Sequence, residues 1–297
     1  METTSTATVL VLGATGRQGG AVVDALGSGE FGDFEVVGAT RNPASDAAEA
    51  LRDRGVRVVP VDMLDEASLV AAMDGVDAVF AVTTFFEGGV GVERAQGGHV
   101  VAACEAAGID HLVFSSVGSA DGDTGLAHFE SKANTERLIA ESGIDATVLR
   151  PVYFMQNLAL QADEILSGTI SLALGEGTEL AMVDARDIGR AAAAAFADPE
   201  RFVGETLTLA GDSLTVAETA EVLSDHLGID VEPVHLDVAV LREAAGDEMA
   251  DMFAWFESTG YDVDVPALEG TLGFELRDLE TCLAETAFLP RPETTAR

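Results

Sequence analysis

The stretch "TVLVLGATGRQGGAVVDALGS", residues 8–28, decides the fold. Its first part, "TVLVLG", is a short apolar run with β-branched residues that ends in glycine, and it reads as a buried strand. "RQGGAVVDALGS" reads as the helix that follows. Between them Gly13, Gly16 and Gly19 are spaced G-x-x-G-x-x-G. Gly13 permits a sharp turn off the strand, Gly16 lets backbone approach a diphosphate without a Cβ in the way, and Gly19 lets the helix pack close to the sheet. The helix start then offers N–H groups and a partial positive charge to phosphate. A bare glycine triplet says little, but at a strand–turn–helix junction it predicts a dinucleotide site.

Outward from this unit the chain alternates. Strands are expected at "FEVVGAT" (34–40), "VRVVPVD" (56–62), "DAVFAVT" (77–83), "HLVFSSV" (111–117) and "ATVLRPV" (146–152), with a helical stretch between each pair. Strict alternation with near-continuous apolar strands predicts an α/β fold: a doubly wound Rossmann parallel sheet, covered on both faces. After Pro151 the alternation loosens. Helices are expected over 183–199 and 214–228, the second capped by Thr215 or a neighbour. The expected organisation is a Rossmann domain over 1–228, with part of a substrate lobe inserted after 151. A smaller C-terminal substrate lobe over 229–290 and a frayed tail at 291–297 follow.

The chain has 297 residues, 47% of them hydrophobic, and a formal net charge of -36. It is long enough for a sizeable core. A surface this anionic repels phosphate backbones and anionic lipid, so neither nucleic acid nor a membrane surface is an expected partner. Abundant acid with almost no lysine is the pattern of proteins that work in concentrated salt, where the Debye length falls to about 3 Å at 1 M. Cys104 and Cys282 form no framework, which favours the cytoplasm. "METTSTAT" lacks a basic n-region and is not expected to be a secretory signal. No apolar run reaches the length of a membrane span.

The end of the second strand bears on coenzyme choice. An NAD-specific site usually carries an acid there to hold the ribose hydroxyls. Here "VVGATRNP" puts Arg41 in that place, and a guanidinium fork suits a 2′-phosphate, so NADP(H) is preferred over NAD(H). The alternative is a solvated arginine paired with nearby acids. "VDMLD" puts Asp62 and Met63 where an adenine edge would lie, and "VTT" puts Thr83 and Thr84 near the diphosphate and the nicotinamide ribose.

The ordered set "GATGRQG", "TRNP", "VDMLD", "VTTFFE", "FSSVG", "HFESK", "LRPVYFMQN" and "VDARDIG" resembles the NmrA-like family of atypical short-chain dehydrogenase/reductases, over residues 8 to about 290. The resemblance implies a Rossmann domain with a smaller C-terminal lobe. It also implies NADP contacts from Gly13, Ala14, Thr15, Gly16, Arg17, Gln18 and Gly19, from Arg41, Asp62 and Met63, from Thr83, Thr84 and Phe85, and from Lys132. The stretch containing Tyr153, Phe154 and Asn157 would lie beside the nicotinamide. Members of the family are redox sensors working through a protein partner, or reductases of quinones, carbonyls or dyes.

Lys132 is the only lysine; the other fifteen basic residues are arginine. A flexible ammonium can bridge two ribose hydroxyls, which a guanidinium does less well. In related reductases a tyrosine four residues earlier is the proton donor, and here that place holds His128. On a helix the two share a face. His128 could supply a proton, or it could face solvent at the helix entry. Ser115 and Ser116 fit the serine that holds a carbonyl oxygen. Tyr153 could line a pocket, act as the acid, or pack against the coenzyme ring. "MFAWFES" (252–258) could roof an apolar substrate, but at helical spacing it reads as core. Asp184 and Asp187 read as a helix cap and partners for Arg186 or Arg190 rather than metal ligands. No metal site and no hydrolase motif are expected. Two functions remain: an NADPH-dependent reductase of quinone or carbonyl substrates, or a non-catalytic NADPH/NADP sensor with a protein partner.

Overall fold

The computed structural model describes residues 6–289; residues 1–5 and the tail expected to fray at 291–297 lie outside the described residues. Elements follow one another as β1 (Ala7–Leu12), α1 (Arg17–Gly27), β2 (Phe34–Thr40), α2 (Asp46–Asp53), β3 (Arg57–Pro60), α3 (Glu66–Ala72), β4 (Ala78–Val82), α4 (Gly89–Ala107), β5 (His111–Ser115), α5 (Ala127–Ser142) and β6 (Ala146–Pro151). Then come β7 (Tyr153–Phe154), a 3-10 turn (Met155–Gln161), α6 (Ala162–Leu166), β8 (Thr169–Leu172), β9 (Leu180–Val183), α7 (Ala185–Ala197), α8 (Pro199–Phe202) and β10 (Thr206–Leu209). The chain continues through β11 (Asp212–Leu214), α9 (Val216–Leu227), β12 (Glu232–His235), α10 (Val238–Ala245), α11 (Asp247–Ser258), α12 (Val265–Leu272) and α13 (Leu279–Glu285).

A seven-stranded sheet runs β10-β6-β5-β4-β1-β2-β3. The β1–β2, β2–β3, β1–β4, β4–β5 and β5–β6 pairings are all parallel. The chain winds outward from β1 to β3, then returns to the other side of β1 for β4 to β6. The expected doubly wound parallel sheet is therefore present, with its crevice at the carboxyl ends of β1 and β4. Burial on both faces explains the continuous apolar strands: Val9, Leu10 and Val11 of β1 and Leu112, Val113 and Phe114 of β5 are wholly inaccessible. Cys104 belongs to this core, and burial pushes its thiol up to about 12.

Two compact units emerge. One takes the chain through Arg150 together with Ala185–Thr208; the other takes Pro151–Asp184 and the chain from Leu209 onward. The boundary expected at 228 falls inside the second unit. Met155, Leu172, Met182, Leu223, Phe253 and Leu283 share one core, so residues on either side of position 228 fold together. Alanine-rich α7 instead lies against α1, and its small side chains permit that close crossing. In the second unit β11-β9-β7 form a three-stranded sheet and β12-β8 a two-stranded one. Phe253 and Phe256 are inside its core, so those two members of "MFAWFES" pack as core residues.

Part of the acid excess has local work. Asp65, Asp237, Asp264 and Asp278 each accept a backbone N–H at a helix start, and Thr215 forms a capping box with Glu218. Among the described residues, no helix is long and apolar enough to cross a membrane.

Candidate active site

The turn between β1 and α1 is built as its glycines require. Gly13 takes φ +72°, a left-handed conformation that a side chain disfavours. The Gly16 N–H donates to the Gly13 carbonyl at 2.8 Å, which closes the turn. A Cβ on Gly19 would overlap the Gly13 carbonyl, so α1 can approach the loop only with glycine there. The first rung of α1 runs from the Gly20 N–H to the Gly16 carbonyl. The first turn of a helix points its backbone N–H groups out of the helix end, and in α1 that turn carries no acidic side chain. This cradle fits an anionic diphosphate. Ala14 is buried and its N–H reaches the Ala39 carbonyl of β2; Thr15 and Arg17 are exposed.

The second feature is a buried ion pair. Lys132 projects from α5, and its Nζ donates to the Thr83 carbonyl (2.8 Å), Thr83 Oγ1 (3.1 Å) and the Ser115 carbonyl (3.4 Å). Its counter-charge is Glu93 of α4, 3.2 Å away and fully buried. Glu93 also accepts from Thr83 Oγ1 at 3.2 Å and from the Ser131 hydroxyl. Burial pulls the Lys132 pKa down and Glu93 pulls it back up, with burial the larger effect. The helix crossing makes this possible. Glu93 faces Ser131, and one turn further Gly97 faces Thr135, where a Cβ on Gly97 would overlap the threonine hydroxyl. Glu93 went unremarked in the sequence. Its signal was there: with Gln96, Gly97, Val100 and Cys104 it forms one helical stripe, and it is the lone acid on that buried face.

Around this pair the ends of the strands are pinned. The Ser115 hydroxyl donates to Gln18 Oε1 at 2.6 Å, joining β5 to the start of α1. Ser116 is 4% exposed; its N–H donates to the Leu149 carbonyl, and its hydroxyl has no hydrogen-bond partner. The Thr84 N–H donates to Gln96 Oε1 at 3.1 Å. His128 lies one turn before Lys132, but its ring stacks on Phe85 at 4.9 Å and meets Phe129 edge-on at 4.7 Å.

The segment that follows β2 is more open. Arg41 directly follows β2, and its two terminal nitrogens grip Glu87 from the segment after β4, one contact being Nη2 to Oε1 at 2.8 Å. Asp62 accepts the Leu64 N–H of its own loop at 2.9 Å, and the Met63 carbonyl faces Nδ1 of His99 in α4 at 3.0 Å. The contact between Arg41 and Glu87 is the pairing with a nearby acid that the sequence left open as the alternative for Arg41, although Glu87, the last residue of "VTTFFE", was not singled out.

Tyr153, Phe154 and Asn157 belong to the second unit. Tyr153 meets Phe253 and Phe256 edge-on, each at 6.2 Å. Burial pushes its hydroxyl up to about 12, against a smaller opposing pull from its hydrogen bond with Asn157. It is thus a phenol that stays protonated, and a weaker acid than a free one. Asp187 is buried and pairs with Arg190 at 3.5 Å.

The sequence model of the NmrA-like family matches residues 5–286. Quinone oxidoreductase 2 of Escherichia coli (strain K12) is 32% identical over 272 residues, covering 89% of this chain and 89% of that protein. The NAD(P)H azoreductase of Xenophilus azovorans is 32% identical over 247 residues, covering 82% and 81%. The crystal structure of an NADPH-dependent quinone oxidoreductase from Escherichia coli, complexed with NADPH, matches with a TM-score of 0.80 at 27% identity, over 93% of this chain and 98% of that one.

Proposed function

The chain belongs to the NmrA-like family, and from that premise we propose that it is a cytoplasmic NADPH-dependent reductase of quinone or carbonyl acceptors. The observation that carries the reading is the Lys132 ammonium, fixed by Glu93 and Thr83 at the carboxyl ends of β4 and β5. A buried cation held in place is a preorganised anchor for ribose hydroxyls, and anchoring is most of what hydride delivery asks of a protein. Relatives named as a quinone oxidoreductase and an azoreductase support the same class of acceptor.

A nicotinamide coenzyme, when bound, supplies the hydride. The residues of the chain bind and orient it. Gly13 to Gly19 receive the diphosphate, Arg41 takes the 2′-phosphate, and Asp62 and Met63 border the adenine. Thr83, Thr84 and Phe85 border the nicotinamide ribose, which Lys132 holds. Tyr153, Phe154 and Asn157 are assigned to the nicotinamide end. Ser116 offers a hydroxyl with no competing partner to an acceptor oxygen. With histidine in place of the usual tyrosine, a quinone is the more suitable acceptor. Its reduced oxygen is stabilised by the ring and takes a proton from water or His128, so a strong positioned acid is not required.

The test is NADPH oxidation against a panel of quinones and aldehydes, run in molar KCl to suit the acid-rich surface. Turnover with quinones above aldehydes is expected. Tight NADPH binding with no turnover of any acceptor would falsify the reductase and leave the sensor with a protein partner.

A further inference from the structure

We propose that Glu87 is a built-in competitor for the coenzyme's 2′-phosphate, so that it sets how strongly the site prefers NADP(H) over NAD(H). The inference rests on the assignment of Arg41 to that phosphate. In the sheet β1 lies between β2 and β4. Arg41 follows β2 and Glu87 lies in the segment between β4 and α4, so their ion pair spans the carboxyl end of β1, where the phosphate loop begins. Glu87 uses both carboxylate oxygens on both terminal nitrogens of the fork. A 2′-phosphate makes the same bidentate contact. A 2′-phosphate that takes those same two terminal nitrogens requires Glu87 to leave them.

The pair is built to yield. The two side chains are 60% and 53% exposed, and water and counterions can take over either partner. The hydrogen bond from Arg41 holds the Glu87 carboxyl below the usual carboxylate range, so it is ionised at neutral pH. A coenzyme without the 2′-phosphate does not ask for the fork and leaves the pair in place. The carboxylate therefore subtracts from NADPH affinity and leaves NADH affinity alone. Arg41 by itself would make the site more selective than Arg41 with Glu87.

Titrating NADPH and NADH by calorimetry into the intact chain, Glu87→Gln, Arg41→Ala and the double variant tests this. Glu87→Gln should tighten NADPH by about two- to fivefold, the scale of an exposed ion pair, and leave NADH unchanged. Arg41→Ala should weaken NADPH about tenfold or more and remove any effect of Glu87→Gln in the double variant. If Glu87→Gln leaves NADPH unchanged or weakens it, or tightens NADH equally, the inference is overturned. If Arg41→Ala leaves NADPH binding intact, it is the assignment of Arg41 that fails. Unchanged melting temperatures for these surface variants separate binding effects from folding.

Discussion

Two cation–carboxylate pairs stand at the carboxyl ends of the strands and differ in their surroundings. Lys132 and Glu93 meet between α5 and α4 with Glu93 wholly buried, while Arg41 and Glu87 meet in the open with more than half of each side chain in contact with water. The buried pair has no substitute for its partner. Thr83, Ser115 and Ser131 add hydrogen bonds to it, and only a small part of the Lys132 side chain is exposed. Such a pair adds little net stability over an apolar replacement, but breaking it leaves an uncompensated charge. The exposed pair has water as an alternative on both sides. One pair fixes a position; the other can exchange a partner.

The largest effect should come from breaking the buried pair. Glu93→Leu strands the Lys132 ammonium and should cost about 3–5 kcal/mol in denaturant unfolding. Adding Lys132→Met should recover most of that loss while leaving coenzyme binding abolished. A single-variant cost below about 1 kcal/mol would mean the pair behaves like a surface one, and the contrast would collapse.

A buried cation-forming group with no carboxylate contact sharpens the comparison. His111 of β5 is buried, with Nε2 2.9 Å from Thr147 Oγ1 and no partner for Nδ1. The threonine hydroxyl donates to the Phe202 carbonyl, so it accepts from the imidazole, and Nδ1 is left as a bare acceptor. Burial depresses the His111 pKa from 6.5 to about 4, with Asp145 pulling weakly the other way. Below pH 6.5 the unfolded chain takes up a proton that the folded protein refuses. Stability contributed by the neutral ring is therefore full above that pH and is lost as pH falls toward 4. The loss is about 3 kcal/mol. Urea unfolding of wild type and His111→Asn at pH 7 and pH 4.5 measures it: the wild type should lose more stability than the variant. Parallel losses in the two would contradict the assignment.

The smallest effect belongs to the exposed pair. Arg41→Ala and Glu87→Ala should each change stability by less than about 1 kcal/mol, even where they change coenzyme affinity. A larger cost would show that the pair braces the loops rather than standing ready to part.

The framework was legible because its signals are local. The β1 run, the turn glycines and the start of α1 sit within twenty residues, and each following strand announces itself as an apolar run. Thr215 was legible as a cap for the same reason. The partners of the cations were not. Glu93 is 39 positions before Lys132 and Glu87 is 46 after Arg41, and neither separation has a helical or strand period to betray it. A sharper reading of α4 would have found Glu93 as the one acid on a buried stripe. Glu87 closes the quoted "VTTFFE", but nothing local ties it to Arg41 rather than any other of the 52 acids of the chain.

By itself, then, the sequence determined that this chain forms a doubly wound parallel sheet with a glycine turn at its first strand–helix junction. Hydrophobic period and backbone freedom are properties of neighbouring residues. Tertiary structure alone decided which acid neutralises which cation, and that Ala185–Thr208 joins the sheet unit while Pro151–Asp184 leaves it. Those outcomes depend on strand order and helix crossing. They are set by how whole elements bury their apolar faces, which no short window of residues contains.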